Sequence, residues 1–194
     1  MVKPRSVCVY CGSSDRGPAA HREAAVKLGH TLAAEGIELV FGGGRVGLMG
    51  LIADAVLSGG GRATGIIPEH LLRAEVGHGR CTELIIVPSM HERKETMFRR
   101  SDAFIVLPGG PGTLDETFEM LTWRQLALHD KPIVIVDLDG YWRPLLTLIE
   151  EMILMGYARE SFRDLFIVVK TVEEALPALV AAPPPKTPAF TDKI

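Results

Sequence analysis

The chain has 194 residues, 47% of them hydrophobic and 23% charged, with a formal net charge of −3 at pH 7. That is enough chain for one domain with a real core, and the slight acidity excludes the basic footprint of a nucleic-acid or anionic-membrane binder. The apolar run in MVKPRSVCVYCGSS is too short for a signal peptide and no segment approaches the roughly 20 apolar residues of a membrane span, so a cytoplasmic protein is expected.

In chain order, the first strand pattern is SVCVYC (6–11), followed by a helical pattern over 18–35. IELVF (37–41) precedes a helix over 47–58, and RATGIIP (62–68) leads into a polar connection, 69–82, that reads as a flap. ELIIVP (83–88) precedes 89–101, AFIVLP (103–108) precedes 113–128, PIVIVD (132–137) precedes 141–156, and LFIVVK (165–170) precedes 172–181. Most runs are continuously Val, Ile and Leu, as in strands buried on both faces. The expectation is a single α/β domain over 1–182: a doubly wound, mainly parallel sheet of about seven strands flanked by helices. The stretch 183–194, rich in proline and without apolar period, reads as a disordered tail.

The three cysteines, Cys8, Cys11 and Cys81, leave an odd thiol and speak against a disulfide framework. Cys8-x-x-Cys11 looks like a redox or metal motif. On a strand, however, a three-residue offset points the two side chains to opposite faces. Ordinary buried thiols are expected, with no metal and no cofactor.

In a doubly wound sheet, ligands bind beyond the carboxyl ends of the strands. Three glycine loops lie there. The first, CGSSDRG, offers the hydroxyls of Ser13 and Ser14. The second, FGGGRVGLMG, satisfies G-x-G-x-x-G with Gly42, Gly44 and Gly47, and Glu69 stands about 20 residues on. That invites a dinucleotide reading, but the fingerprint normally follows the first strand and here it follows the second. Lining of a nucleotide site by Gly43 and Gly44 competes with a plain tight turn. The third loop, PGGPGTLDE, places glycines where a helix N-terminus gathers anions. There Thr113-x-x-Glu116 has the spacing of a capping box.

The helix leading into that strand, PSMHERKETMFRRSD, puts Met90, Arg93/Lys94, Met97 and Ser101 on one face. An arginine on an apolar stripe either snorkels to solvent or has an anionic partner. The second choice points Arg93 at a ligand site where Glu116 and a phosphate are its partners.

CGSS, GGGRVGLMG, MHERK and PGGPGTLDE, in this order and spacing, resemble the Lonely Guy (LOG) family over about residues 5–180. The resemblance implies a Rossmann-like fold, a homodimer with active sites near the interface, and a cytokinin riboside 5′-monophosphate phosphoribohydrolase, long misnamed a lysine decarboxylase. Such an enzyme hydrolyses the N-glycosidic bond of an adenosine 5′-monophosphate, releasing the free base and ribose 5-phosphate without a metal. By matching positions, Arg93 and Glu116 become the catalytic pair. Lys94, Gly110, Pro111, Gly112, Thr113, Leu114, Asp115 and Thr122 line the nucleotide, and Glu75 matches a binding position. Pro111 stands where an aromatic residue is common, and Asp115 where Glu is common. Pro111 has no N–H to donate, so phosphate contacts fall to Gly110, Gly112 and Thr113. The alternative is a non-catalytic nucleotide-binding protein on the same scaffold, with Glu116 only capping its helix.

The helix 113–128 carries Leu114, Phe118 and Leu121 on one face, and Met120, Trp123 and Ala127 on another. One face packs on the sheet. The other suggests a second chain, unless the helix 141–156 covers it.

Overall fold

A computed structural model describes residues 3–72 and 77–183. All seven expected strands form: β1 (Ser6–Tyr10), β2 (Glu38–Phe41), β3 (Ala63–Pro68), β4 (Glu83–Val87), β5 (Ala103–Val106), β6 (Ile133–Val136) and β7 (Ile167–Val169). They make one sheet in the order β4-β3-β2-β1-β5-β6-β7, parallel throughout. The helices are α1 (Ala19–Ala34), α2 (Gly47–Ser58), α3 (Glu69–Leu72), α4 (Met90–Arg99), α5 (Pro111–Gln125), α6 (Arg143–Leu154) and α7 (Ala175–Ala181). The short α3 and a 3-10 segment at Glu160–Leu165 were not expected, since neither is long enough to show a period. No helix among the described residues is long and apolar enough to cross a membrane. The expected tail lies outside the described residues from position 184 onward.

Alternation along β1 builds two cores. Val7, Val9 and Cys11 pack with Leu28, Leu32, Ile52, Val56 and Leu176 of α1, α2 and α7. Cys8 and Tyr10 pack with Met97, Met120, Leu121, Leu145 and Ile149 of α4, α5 and α6. The two cysteines therefore face opposite sides of the sheet, and all three are free. Burial pushes the thiols of Cys8 and Cys11 well up, and that of Cys81 to about 11. Thiols held protonated in this way are inert.

β6 leads into α6 through Asp137, whose side chain is buried. Its carboxylate accepts the Trp142 N–H at 2.7 Å and the Lys170 ammonium at 2.7 Å. Burial alone would raise its pKa, but Lys170 and the Trp142 N–H outweigh that and hold it below the usual carboxylate value. A depressed pKa contributes stability above the unfolded value, near 3.9, and loses it as pH falls through the folded value. Asp137→Ala is expected to cost about 2 kcal/mol at pH 7 and less at a pH below the unfolded carboxylate value, where the charged form's advantage is being lost. Urea unfolding at the two pH values checks this; an equal loss at both removes the charge argument.

Candidate active site

The strand order reverses between β1 and β5, so the crevice beyond their carboxyl ends is where a ligand belongs. The loops after the two strands are tied together there, the Gly12 N–H donating to the Pro108 carbonyl at 3.0 Å. After β5, helix α5 starts at Pro111 with Gly110 as its N-cap and no side-chain cap. This corrects the capping-box expectation. Proline at the first position is pre-set for the helix, so the helix begins two residues before Thr113. Thr113 is buried in the first turn and Glu116 lies in the second. The amides of Gly112 and Thr113 have no intrahelical acceptor, and a helix start of this kind favours negative charge.

The second glycine loop is built differently. The first amides of α2 are filled by the chain itself: Gly47 N–H donates to the Asp15 carboxylate and Leu48 N–H to the Gly12 carbonyl, each at 2.9 Å. The place a dinucleotide pyrophosphate would take is occupied, and that reading falls. Gly43 and Gly44 are buried. The Gly43 carbonyl accepts the His78 N–H at 2.9 Å, and Gly44 bridges to Gly77.

Helix α4 begins with Ser89, whose hydroxyl caps the Glu92 N–H at 3.2 Å. One turn on, Arg93 is 5% exposed, so it does not snorkel. Its Nη2 donates to the Gly42 carbonyl at 2.6 Å and its Nε to the Ile66 carbonyl at 3.1 Å. Gly42 has no side chain because of this: a Cβ there would lie 2.2 Å from Nη2. Lys94 is also buried and reaches α5, with Asp115 at 3.1 Å and Glu119 at 3.2 Å. Burial pulls its ammonium pKa down, but the hydrogen bonds to Asp115 and Glu119 outweigh that and leave it above the ordinary lysine value.

This bridge joins α4 and α5 at the level where one carries Arg93 and the other Glu116. The negative charge of Glu116 acts on Cys8, Tyr10 and Cys11, which places its carboxylate toward the carboxyl end of β1. Glu119 was missed in the sequence, although its i,i+4 relation to Asp115 was a usable signal. Ser13 is exposed on the loop after β1, and Gly110, Pro111 and Gly112 are exposed at the start of α5. Leu114 is half-buried. Thr122 is exposed on α5, six residues beyond Glu116 and so about 9 Å farther along the axis. Glu75 lies outside the described residues.

Between the first and third loops is a cavity of about 200 Å³. Gly12, Ser14, Gly109 and Gly110 line it, together with His21 and Tyr141, which the sequence did not single out. The Tyr141 hydroxyl donates to the Gly109 carbonyl at 2.7 Å. A larger depression of about 730 Å³ runs along the solvent side of α1, past Val26, Lys27 and His30. It is open to solvent and lined mostly by α1 and its C-cap, with Arg22, Glu23 and Glu35 among the residues, and none of the glycine loops borders it.

The face of α5 assigned to a second chain is largely covered from within. Met120 and Leu121 are both fully buried, and Arg124 donates to the Leu165 carbonyl at 2.9 Å. Trp123 meets Phe98 of α4 edge-on at 5.1 Å. Ala127 is not on the helix; it follows the end at Gln125, with φ of 58°.

The fold and this crevice define a Rossmann-like α/β protein. It carries an uncapped helix start, with the carboxylates of Asp115, Glu116 and Glu119 on that helix and the buried Arg93 and Lys94 on the neighbouring one. Residues 49–179 match the family described as "Possible lysine decarboxylase". A rice protein (Oryza sativa subsp. japonica) named "Probable cytokinin riboside 5'-monophosphate phosphoribohydrolase LOGL1" is 47% identical over 88% of this chain and 76% of its own. The Arabidopsis thaliana cytokinin riboside 5′-monophosphate phosphoribohydrolase LOG3 is 42% identical over 91% of this chain and 82% of its own. Among solved structures, TM1055 superposes with a TM-score of 0.70 at 25% identity, covering 91% of this chain and 98% of that one. A Chlamydomonas Moco carrier protein shares the fold, with a TM-score of 0.68 at 19% identity over 90% and 94% of the two chains. The chain belongs to the LOG family.

Proposed function

We propose that the protein hydrolyses the N-glycosidic bond of N6-substituted adenosine 5′-monophosphates, releasing the base and ribose 5-phosphate. The observation that carries this is the uncapped start of α5, an anion site, with Glu116 one turn further on. Scission of a glycosidic bond builds positive charge on the sugar. Glu116 would stabilise that charge and orient the attacking water. Gly110, Gly112 and Thr113 would hold the phosphate. Two negative charges about 6 Å apart at an effective dielectric near 20 repel by roughly 3 kcal/mol. Arg93 and Lys94 offset that, which gives a purpose to cations buried on a methionine-bearing helix.

The family's decarboxylase description does not suit these residues. A Schiff-base lysine must shed its proton readily, whereas Lys94 is ion-paired twice and its pKa is raised. The relatives' names agree, since they are phosphoribohydrolases.

A homodimer belongs to the same proposal, supported by Leu114 and Phe118 of α5, which pack against the core yet stay partly exposed. Sedimentation equilibrium tests it.

The test of function is chromatography of free base. AMP and N6-substituted AMP are expected to release it, while the matching nucleosides, lacking the group the cradle binds, lose at least about a hundredfold in kcat/KM. Equal turnover of nucleoside would sink the phosphate role. Tight AMP binding with no base released would identify a nucleotide-binding protein instead.

A further inference from the structure

The cavity between the first and third loops lies at the start of two uncapped helices. α1 begins there behind Pro18 and α5 behind Gly110, neither with a side-chain cap. His21, the third residue of α1, forms part of the wall and is 5% exposed. No hydrogen bond joins its ring nitrogens to any described residue. The ring meets Tyr141 edge-on, with centroids 5.5 Å apart and planes at 85°. The ring thus lines, without a hydrogen-bond partner among the described residues, a space bounded by helix N-termini. The volume, about 200 Å³, is below the roughly 300–1,000 Å³ of pockets that engulf whole ligands. It fits a head group and leaves ribose and base outside.

We propose that His21 is a specificity-determining residue that donates a hydrogen bond to the phosphoryl group of a phosphomonoester seated in this cavity. The inference rests on the hydrolase reading for the identity of the whole substrate, but not for the phosphate site itself. Tyr141, anchored on the Gly109 carbonyl, is the surface against which the imidazole is held. The charged groups around His21 come from every neighbouring segment. Asp139 precedes Tyr141, and Arg143 packs beside Gly140. Asp15 is bound to the Gly47 N–H. Arg22 is held by the carbonyls of Asp15 and Gly17. Burial lowers the His21 pKa and Asp139 acts against it, the net being below the ordinary histidine value. Without a phosphate beside it the ring is thus neutral near pH 7. A bound phosphate dianion favours the imidazolium, so binding takes up a proton and weakens as pH rises through the His21 titration of the complex.

The first experiment is NMR of the imidazole resonances of the wild-type protein, titrated with inorganic phosphate and with ribose 5-phosphate. Saturable shifts of His21 are expected with both. Kinetics supply the second readout. His21→Phe keeps a ring against Tyr141 and removes the donor; KM for AMP should rise roughly tenfold or more with kcat within about twofold. His21→Gln keeps a donor that does not titrate, so KM should stay nearer to wild type and lose the His21 component of its pH profile. Base release from AMP while the His21 resonances stay still overturns the proposal and leaves the hydrolase intact. So does an unchanged KM in His21→Phe. Shifts on phosphate in a protein that releases no base support the site and remove the hydrolase reading.

Discussion

Replacing Glu116 by glutamine is expected to lower kcat for AMP roughly a thousandfold while leaving nucleotide binding in place. Glutamine has nearly the same shape but no charge, so it keeps the packing in the second turn of α5 and loses the stabilisation of an oxocarbenium-like ribose. The structural ground is local. α5 starts at Pro111 with Gly110 as its N-cap, which puts Glu116 in the second turn of the helix. Its charge acts on Cys8, Tyr10 and Cys11 at the end of β1. Chromatographic rates of adenine release, with calorimetric titration of AMP, separate the two effects. A mutant that keeps the full rate removes Glu116 from the chemistry. One that loses binding as strongly as rate would make it a positioning group.

The second large effect is on stability. Gly47→Ala should cost about 2–5 kcal/mol, from a side chain forced into the left-handed region and from overpacking. Gly47 has φ of 68°, and an added Cβ would lie 2.5 Å from the Ser14 nitrogen and 2.8 Å from the Gly12 carbonyl oxygen. Those are backbone atoms of the loop that walls the cavity proposed to seat the phosphate, so KM for AMP should rise as well. Gly79→Ala is the control, because a Cβ there meets nothing within 4 Å. Urea unfolding of both variants decides the matter, and a Gly47→Ala protein as stable as wild type would refute the close-approach argument.

The glycines of GGGRVGLMG therefore serve packing at least as directly as ligand. The sequence pattern alone left a dinucleotide loop and a tight turn both open. Only the third dimension shows Asp15 and Gly12 filling the first amides of α2. The MHERK arginine was ambiguous in the same way. Helical spacing put it on an apolar stripe, and the partners that make burial tolerable, the carbonyls of Gly42 and Ile66, are 51 and 27 residues away in sequence.

By itself the sequence determined the seven strands, the two-faced sheet and the opposite facing of Cys8 and Cys11, because strand alternation and continuous apolar runs are local signals that report burial directly. It also carried the family, through motifs whose order survives without any structure. The tertiary structure alone decided where α5 begins, what covers its second face, that Glu119 shares Lys94 with Asp115, and that His21 and Tyr141 close a cavity with Gly12 and Gly109. Each of those depends on side chains brought together by strand order across the sheet, and contacts between distant segments leave no periodicity to read.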